Sequence, residues 1–210
     1  MLLNYHYWYF SGALDQNICN KIIREANRLK DQKAITGDAE KKYKFKNLTK
    51  EQKTRLKKTR NSNVVWLSNS WIYELLHHYV KTANINAGWN FQWEKSEPIQ
   101  FTKYKLNQFY NWHQDPFPIP QEEEGPFKGL IRKLSTIVTL TDSSEYKGGE
   151  LEFDLRNSSK GKGNNIMTCK EIMPRGSIVV FPSHIWHRVK PVKKGTRYSL
   201  VMWSNGKPFV

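Results

Sequence analysis

Residues 177–203 read SIVVFPSHIWHRVKPVKKGTRYSLVMW. Two short runs rich in β-branched and aromatic residues, Ser177–Phe181 and Tyr198–Trp203, flank turn-forming Pro, Lys and Gly, with Lys193–Gly195 as the last turn. Runs of this length bounded by Gly and Pro read as strands. The same rhythm extends upstream to about residue 90, with strands expected at Ile99–Tyr104, Leu134–Thr141 and Glu150–Leu155. Turns are expected at Lys147-Gly148-Gly149, Lys160–Asn165 and Pro174–Gly176.

Before residue 90 the period is helical. After Asp15, an expected N-cap, Ile18, Ile22, Ala26 and Leu29 form one apolar stripe. A second helix is expected after Ser70, with Ile72, Leu75, Leu76, Tyr79 and Ala83 on one side, and Asn63–Leu67 between the two reads as a strand. Two helices followed by many short strands point to a mostly β fold, a sandwich or jelly roll with the helices packed on one sheet. Alternating βαβ units are not seen, and neither GxGxxG nor GxxxxGK[ST] occurs, which argues against nucleotide-binding α/β folds.

The composition agrees with a folded domain. Of 210 residues 38% are hydrophobic and 13% aromatic, unlike a disordered chain. No apolar run approaches the roughly 20 residues of a membrane span. The opening MLLNYHYWYF lacks the basic flank and cleavage site of a secretory signal, and Cys19 and Cys169 are too few for a disulfide scaffold. These features together predict a cytoplasmic protein with one domain over 1–210: helical support and a basic loop over 1–89, and a β core over 90–210. The net charge is +15, but ten basic residues and one acid between Lys41 and Arg60 supply +9 of it. That segment reads as a mobile loop or solvated helical turn, either bland surface or a basic flap for an acidic or RNA-associated partner.

Residues 104–115, YKLNQFYNWHQD, carry the chemistry. In an extended chain His113 and Asp115 point to one face. His-x-Asp alone arises by chance in many chains, so the reading depends on a third ligand. His187 can supply it; His184 competes, but the Val-x-Pro-Val run and the ten-residue step to Arg197 follow His187. Two His and one carboxylate form the facial ligand set of non-haem Fe(II) oxygenases. A 2-oxo acid filling two open positions leaves its far carboxylate for a planar, always-charged partner, which Arg197 offers.

The ordered set of motifs resembles the 2-oxoglutarate/Fe(II)-dependent dioxygenases, most closely the prolyl 4-hydroxylase branch. It comprises Tyr104, Gln108, Tyr110, His113 and Asp115, then Gly148, Gly149 and Leu151, then Phe181, Pro182, His187, Val189, Pro191, Val192, Gly195 and Arg197. The resemblance implies a double-stranded β-helix, with His113, Asp115 and His187 binding Fe(II). It further implies that Arg197 and Tyr104 bind the distal carboxylate of 2-oxoglutarate, assisted by Ser199 and Thr139. Arg60 and Trp203 correspond to positions near the iron pocket and substrate groove; for Arg60 the alternative is a surface cation, for Trp203 a core ring. His6, His77 and His78 have no partner pattern and read as structural or exposed.

The implied reaction consumes 2-oxoglutarate and O₂, releases succinate and CO₂, and hydroxylates a prolyl residue in a peptide or protein, with ascorbate as a reductant. The basic segment is expected to close over the peptide and favour acidic flanks. Two alternatives share the fold: a small-molecule or amino-acid hydroxylase, and a nucleic-acid oxidative demethylase. Against the latter, Trp203 occupies the place where such relatives carry a second Arg. A binding module without metal is a further alternative, against which the intact triad and Arg197 argue.

Overall fold

The structure is a computed structural model that describes residues 3–34, 48–115, 120–122, 124–155 and 165–209. Three α-helices are described, α1 (Gln16–Asn27), α2 (Lys50–Thr59) and α3 (Ser70–Asn86), with a short 3-10 helix at Lys170–Ile172. Fifteen strands follow the chain: β1 (Trp8–Phe10), β2 (Gln32–Lys33), β3 (Arg60–Asn61), β4 (Asn63–Leu67), β5 (Lys95–Ser96), β6 (Ile99–Tyr104), β7 (Phe109–His113), β8 (Ile131–Thr139), β9 (Lys147–Gly148), β10 (Leu151–Asp154), β11 (Ile166–Thr168), β12 (Ile178–Pro182), β13 (Trp186–Val189), β14 (Val192–Lys194) and β15 (Arg197–Gly206). Eight form a major sheet in the order β1-β12-β8-β15-β6-β4-β2, with β5 pairing to β15. Five form a minor sheet, β11-β10-β13-β7-β3, and β14 pairs with β9. The expected mostly β jelly roll is the fold observed.

Alternation along the major sheet sorts its side chains into two layers. Ile99 and Phe101 on β6, Leu134 and Val138 on β8, Ile178 and Val180 on β12, and Leu200 and Met202 on β15 face the helices. There they meet Ile22 and Ala26 of α1 and Ile72, Leu76, Val80 and Ala83 of α3. The opposite parity enters the space between the sheets, where Tyr104, Ile137, Val179 and Phe181 pack with Leu151, Phe153 and Val189 of the minor sheet. A strand repeats every two residues, so the residues available to a site between the sheets are fixed by parity.

The helices form as their caps and stripes dictate. Asp15 Oδ1 accepts the Ile18 N–H at 2.8 Å, a cap worth about 1 kcal/mol. α1 ends at Asn27, so Leu29, expected on the stripe, lies past the C-cap and is exposed. On α3 the fully buried positions are Ile72, Leu76, Val80 and Ala83, with Leu75 and Tyr79 partly buried beside them. In the basic segment, residues 41–47 lie outside the described residues, as do 160–164 of the expected turn at 160–165. Residues 50–59 are a full helix rather than a loop or single turn, started by a capping box in which Thr49 and Gln52 satisfy each other's backbone N–H.

Candidate metal centre and adjoining cavity

β7 and β13 are antiparallel neighbours, and their register sets His113 opposite His187. The two imidazole centroids lie 4.1 Å apart. Past the end of β7 the Asp115 N–H donates to the Ser183 carbonyl at 3.0 Å, which brings the carboxylate back between the rings. His113 Nε2 is 3.6 Å from Asp115 Oδ1, and His187 Nε2 is 3.6 Å from Oδ2. The three ligand atoms fall within 4.8 Å of one another, the one such cluster among the described residues. His187 is part of it and His184 is not.

Each ring is held from behind. His113 Nδ1 contacts the Asn111 carbonyl at 2.8 Å, and His187 Nδ1 contacts that of Ile185 at 2.9 Å. A carbonyl only accepts, so this network assigns the proton to Nδ1 and leaves both Nε2 lone pairs facing the carboxylate. Backbone-pinned imidazoles plus one carboxylate are a fitting donor set for a first-row divalent ion with open positions.

The electrostatics favour the same state. Burial alone would raise the Asp115 pKa, but His187 and His113 beside it outweigh that cost and hold the carboxyl well below its usual range. Ser135 Oγ donates to Asp115 Oδ2 at 2.6 Å, and Arg132 Nη1 donates to the Asp115 carbonyl at 3.2 Å. Burial, with His113 adding to it, depresses the His187 pKa to about 4 against a weaker pull from Asp115. An uncharged His187 is the form that ligates metal.

Of the remaining candidates named from the sequence, all but Thr139 line the cavity beside this cluster. Arg197, Tyr104 and Ser199 line the same cavity as the triad, as do Arg60 and Trp203. Register explains the grouping: Arg197 pairs with Tyr104, and Ser199 lies between Thr102 of β6 and Thr139 of β8. Arg197 is 2% exposed, its Nη1 donates to Ser199 Oγ at 3.2 Å, and no carboxylate pairs with it among the described residues. Burial raises the Tyr104 pKa, opposed by Arg60 and Arg197, so its hydroxyl stays a donor. Thr139 lines instead a neighbouring cavity of about 270 Å³, which Arg197 and Gly149 also border.

Arg60 is a buried residue of the site, not a surface cation. Its Nε donates to Ser62 Oγ at 2.9 Å, its Nη2 bonds Gln100 Oε1, and its guanidinium lies 4.5 Å over the Tyr110 ring. Tyr110 in turn stacks on His113. Trp203 is buried as a core ring would be, yet it borders the cavity, with the Arg132 guanidinium 3.8 Å over its ring. Its Nε1 and Gln100 Nε2 are buried donors without an acceptor, which suits a cavity built for a polar ligand. The cavity volume is only about 20 Å³, roughly one water. Gln100, Tyr110, Ser135 and Ser183 were not assigned roles from sequence. Gln100 sits four residues before Tyr104 and Ser135 four before Thr139, so strand parity was the signal that could have found them.

A double-stranded β-helix holding a His-Asp-His cluster between its sheets, with a buried arginine across the cavity, defines a non-haem iron oxygenase class. The sequence profile of the 2OG-Fe(II) oxygenase superfamily matches residues 99–205, and the chain belongs to that superfamily. Fe(II) is the metal of this family, and 2-oxoglutarate and O₂ are its co-substrates.

Among curated proteins, the chain is 35% identical over 107 residues to a PKHD-type hydroxylase of Synechococcus sp. strain CC9902, covering 50% of this chain and 40% of that one. It is 35% identical over 106 residues to a PKHD-type hydroxylase of Prochlorococcus marinus strain MIT 9515, with the same coverage of 50% and 40%. The match thus spans about two fifths of the length of these relatives. Among solved structures, a Pseudomonas putida prolyl-4-hydroxylase superposes with a TM-score of 0.66 at 17% identity, over 96% of this chain and 93% of that one. The viral collagen prolyl hydroxylase of Paramecium Bursaria Chlorella virus-1 superposes with 0.63 at 17% identity, over 97% of both chains. At these identities the likeness is one of fold. No helix among the described residues is long and apolar enough to cross a membrane.

Proposed function

We propose that this chain is an Fe(II)- and 2-oxoglutarate-dependent dioxygenase that hydroxylates a prolyl residue in a peptide or protein. The observation that carries the reading is a single cavity with the His113–Asp115–His187 cluster on one wall and the unpaired Arg197 guanidinium on another. His113, Asp115 and His187 would hold the iron, which supplies the oxidising chemistry that no side chain offers. Arg197 pairs with the distal carboxylate of 2-oxoglutarate, with Tyr104, Ser199 and Thr139 donating hydrogen bonds around it. These groups fix the length and charge of the co-substrate, because a buried guanidinium without its anion is costly.

Arg60, Gln100 and Trp203 would offer donors to the carbonyls of a bound chain, and Tyr110 covers the His113 ring. The prolyl target follows the names of the fold neighbours and the family resemblance of the motifs. Acidic flanks suit α2, whose exposed Lys50, Lys57 and Lys58 lie on the helix that leads into β3 and Arg60. A cytoplasmic location agrees with two free, buried cysteines. The test is mass spectrometry of proline-containing peptides incubated with protein and Fe(II). The expected product gains one oxygen atom only when 2-oxoglutarate is added and never with His113→Ala; unmodified prolines with oxygen placed on another residue would replace the substrate assignment.

A further inference from the structure

Asp115 lies two residues past the end of β7, so the strand does not itself fix the orientation of its carboxylate. Two serines restrict it. Ser135 lies mid-strand on β8, on the face that otherwise carries Ile137, and Ser183 follows β12; both are fully buried. A hydroxyl placed there costs free energy unless it is paired.

Ser135 Oγ lies 2.6 Å from Asp115 Oδ2, the short distance of a charge-assisted O–H···O⁻ bond. Ser183 Oγ lies 2.9 Å from Ser135 Oγ. Proton counting gives the pair a direction. An ionised carboxylate only accepts, so the single hydroxyl hydrogen of Ser135 goes to Asp115. The hydrogen between the two serines must then come from Ser183. Ser183 is itself fixed by its backbone: its N–H donates to the Lys133 carbonyl at 2.9 Å, and its carbonyl accepts the Asp115 N–H at 3.0 Å. One residue thus holds the main chain of Asp115 directly and its side chain through Ser135.

We infer that Ser183 and Ser135 form a directed hydroxyl relay that holds the Asp115 carboxylate in its orientation toward the two imidazoles, which makes Ser135 a positioning residue of the centre. Oδ2 accepts from Ser135 and lies 3.6 Å from His187 Nε2, while Oδ1 lies 3.6 Å from His113 Nε2, so one hydroxyl fixes which oxygen faces which imidazole. Rotating the carboxylate out of this orientation breaks the serine bond, so the relay keeps the acid preorganised for a metal. The inference rests on the metal-centre reading of the triad.

The test uses Co(II), a redox-stable stand-in for iron, titrated calorimetrically into the full chain without 2-oxoglutarate. Ser135→Ala weakens Co(II) binding by about 10- to 100-fold, the usual cost of losing a partner behind a ligand. Ser135→Thr keeps the hydroxyl and restores most of the affinity. Ser183→Ala, which reaches the carboxylate only through Ser135, gives a smaller loss and keeps the test alive if Ser135→Ala does not fold. Wild-type affinity in folded Ser135→Ala and Ser183→Ala, or a Ser135→Thr as weak as the alanine variant, overturns the relay. Asp115→Ala and His187→Ala serve as the reference: if these also bind Co(II) like wild type, the metal-centre reading falls and the relay with it.

Discussion

Arg197→Leu separates the cost of a buried charge from its use. The guanidinium is almost wholly buried, with Ser199 as its hydrogen-bond partner 3.2 Å away and no carboxylate among the described residues to neutralise it. Replacing such a charge by a hydrophobic residue of similar bulk is often neutral or stabilising. The metal-loaded variant without co-substrate should therefore melt at or above the wild-type temperature. Binding behaves in the opposite way. A paired carboxylate receives two charge-assisted hydrogen bonds, each worth about 1.5–3 kcal/mol, so their loss weakens 2-oxoglutarate by about 10²- to 10⁴-fold. At a concentration about 100 times the wild-type Kd, the co-substrate adds about 2.7 kcal/mol of stability. That corresponds to a shift of about 5–10 °C in Tm for a chain of this size. The variant should show almost none of it. Thermal melts of Mn(II)-loaded wild type and variant, with and without 2-oxoglutarate, read both effects. A variant that keeps the full ligand-induced shift would refute the assignment of Arg197.

Metal-free protein should lose stability in acid through His187. Its pKa is about 4 when folded and 6.5 in the unfolded chain, so between these values the unfolded state binds more protons. The contribution is complete above 6.5 and falls by about 3 kcal/mol as the pH drops to 4; the depressed Asp115 adds a further loss below 3.8. Urea melts across this range should show a shallower slope for His187→Leu, and an unchanged slope would contradict the burial argument. Gly149→Ala should weaken 2-oxoglutarate more than metal, because a Cβ there would meet Arg197 Cδ and Val192 Cγ2 at 3.0 Å from a backbone already at a φ of +69°. Calorimetry with each ligand distinguishes this from general destabilisation, in which both affinities fall together.

The His-Asp-His cluster was legible as an ordered set rather than locally: His-x-Asp is weak alone and gained weight from His187, Arg197 and the Pro, Val and Gly between them. The helix-facing halves of the strands were legible through β-branched residues, since the core rewards them directly. Arg60 was obscured by its setting, one cation among ten in a segment whose charge dominates any local reading. α2 carries little apolar signal, with Leu56 buried amid lysines, so its periodicity was invisible although Thr49 and Gln52 mark its start. Leu29 fitted the α1 period but not its length, because spacing carries no information on where a helix stops. Gln100 and Ser135 share strand faces with Tyr104 and Thr139, but which faces meet is set only when β6, β8 and β15 are in register, a long-range fact.

The central claim is that His113, Asp115 and His187 hold one ferrous ion to which 2-oxoglutarate, anchored by Arg197, is delivered. Anaerobic visible absorption of the Fe(II)-loaded chain during titration with 2-oxoglutarate tests it most directly. The account predicts a weak charge-transfer band that saturates at stoichiometric co-substrate, is lost in His113→Ala, and needs far more 2-oxoglutarate in Arg197→Leu. A featureless spectrum from folded wild-type protein in excess Fe(II) and 2-oxoglutarate would contradict it.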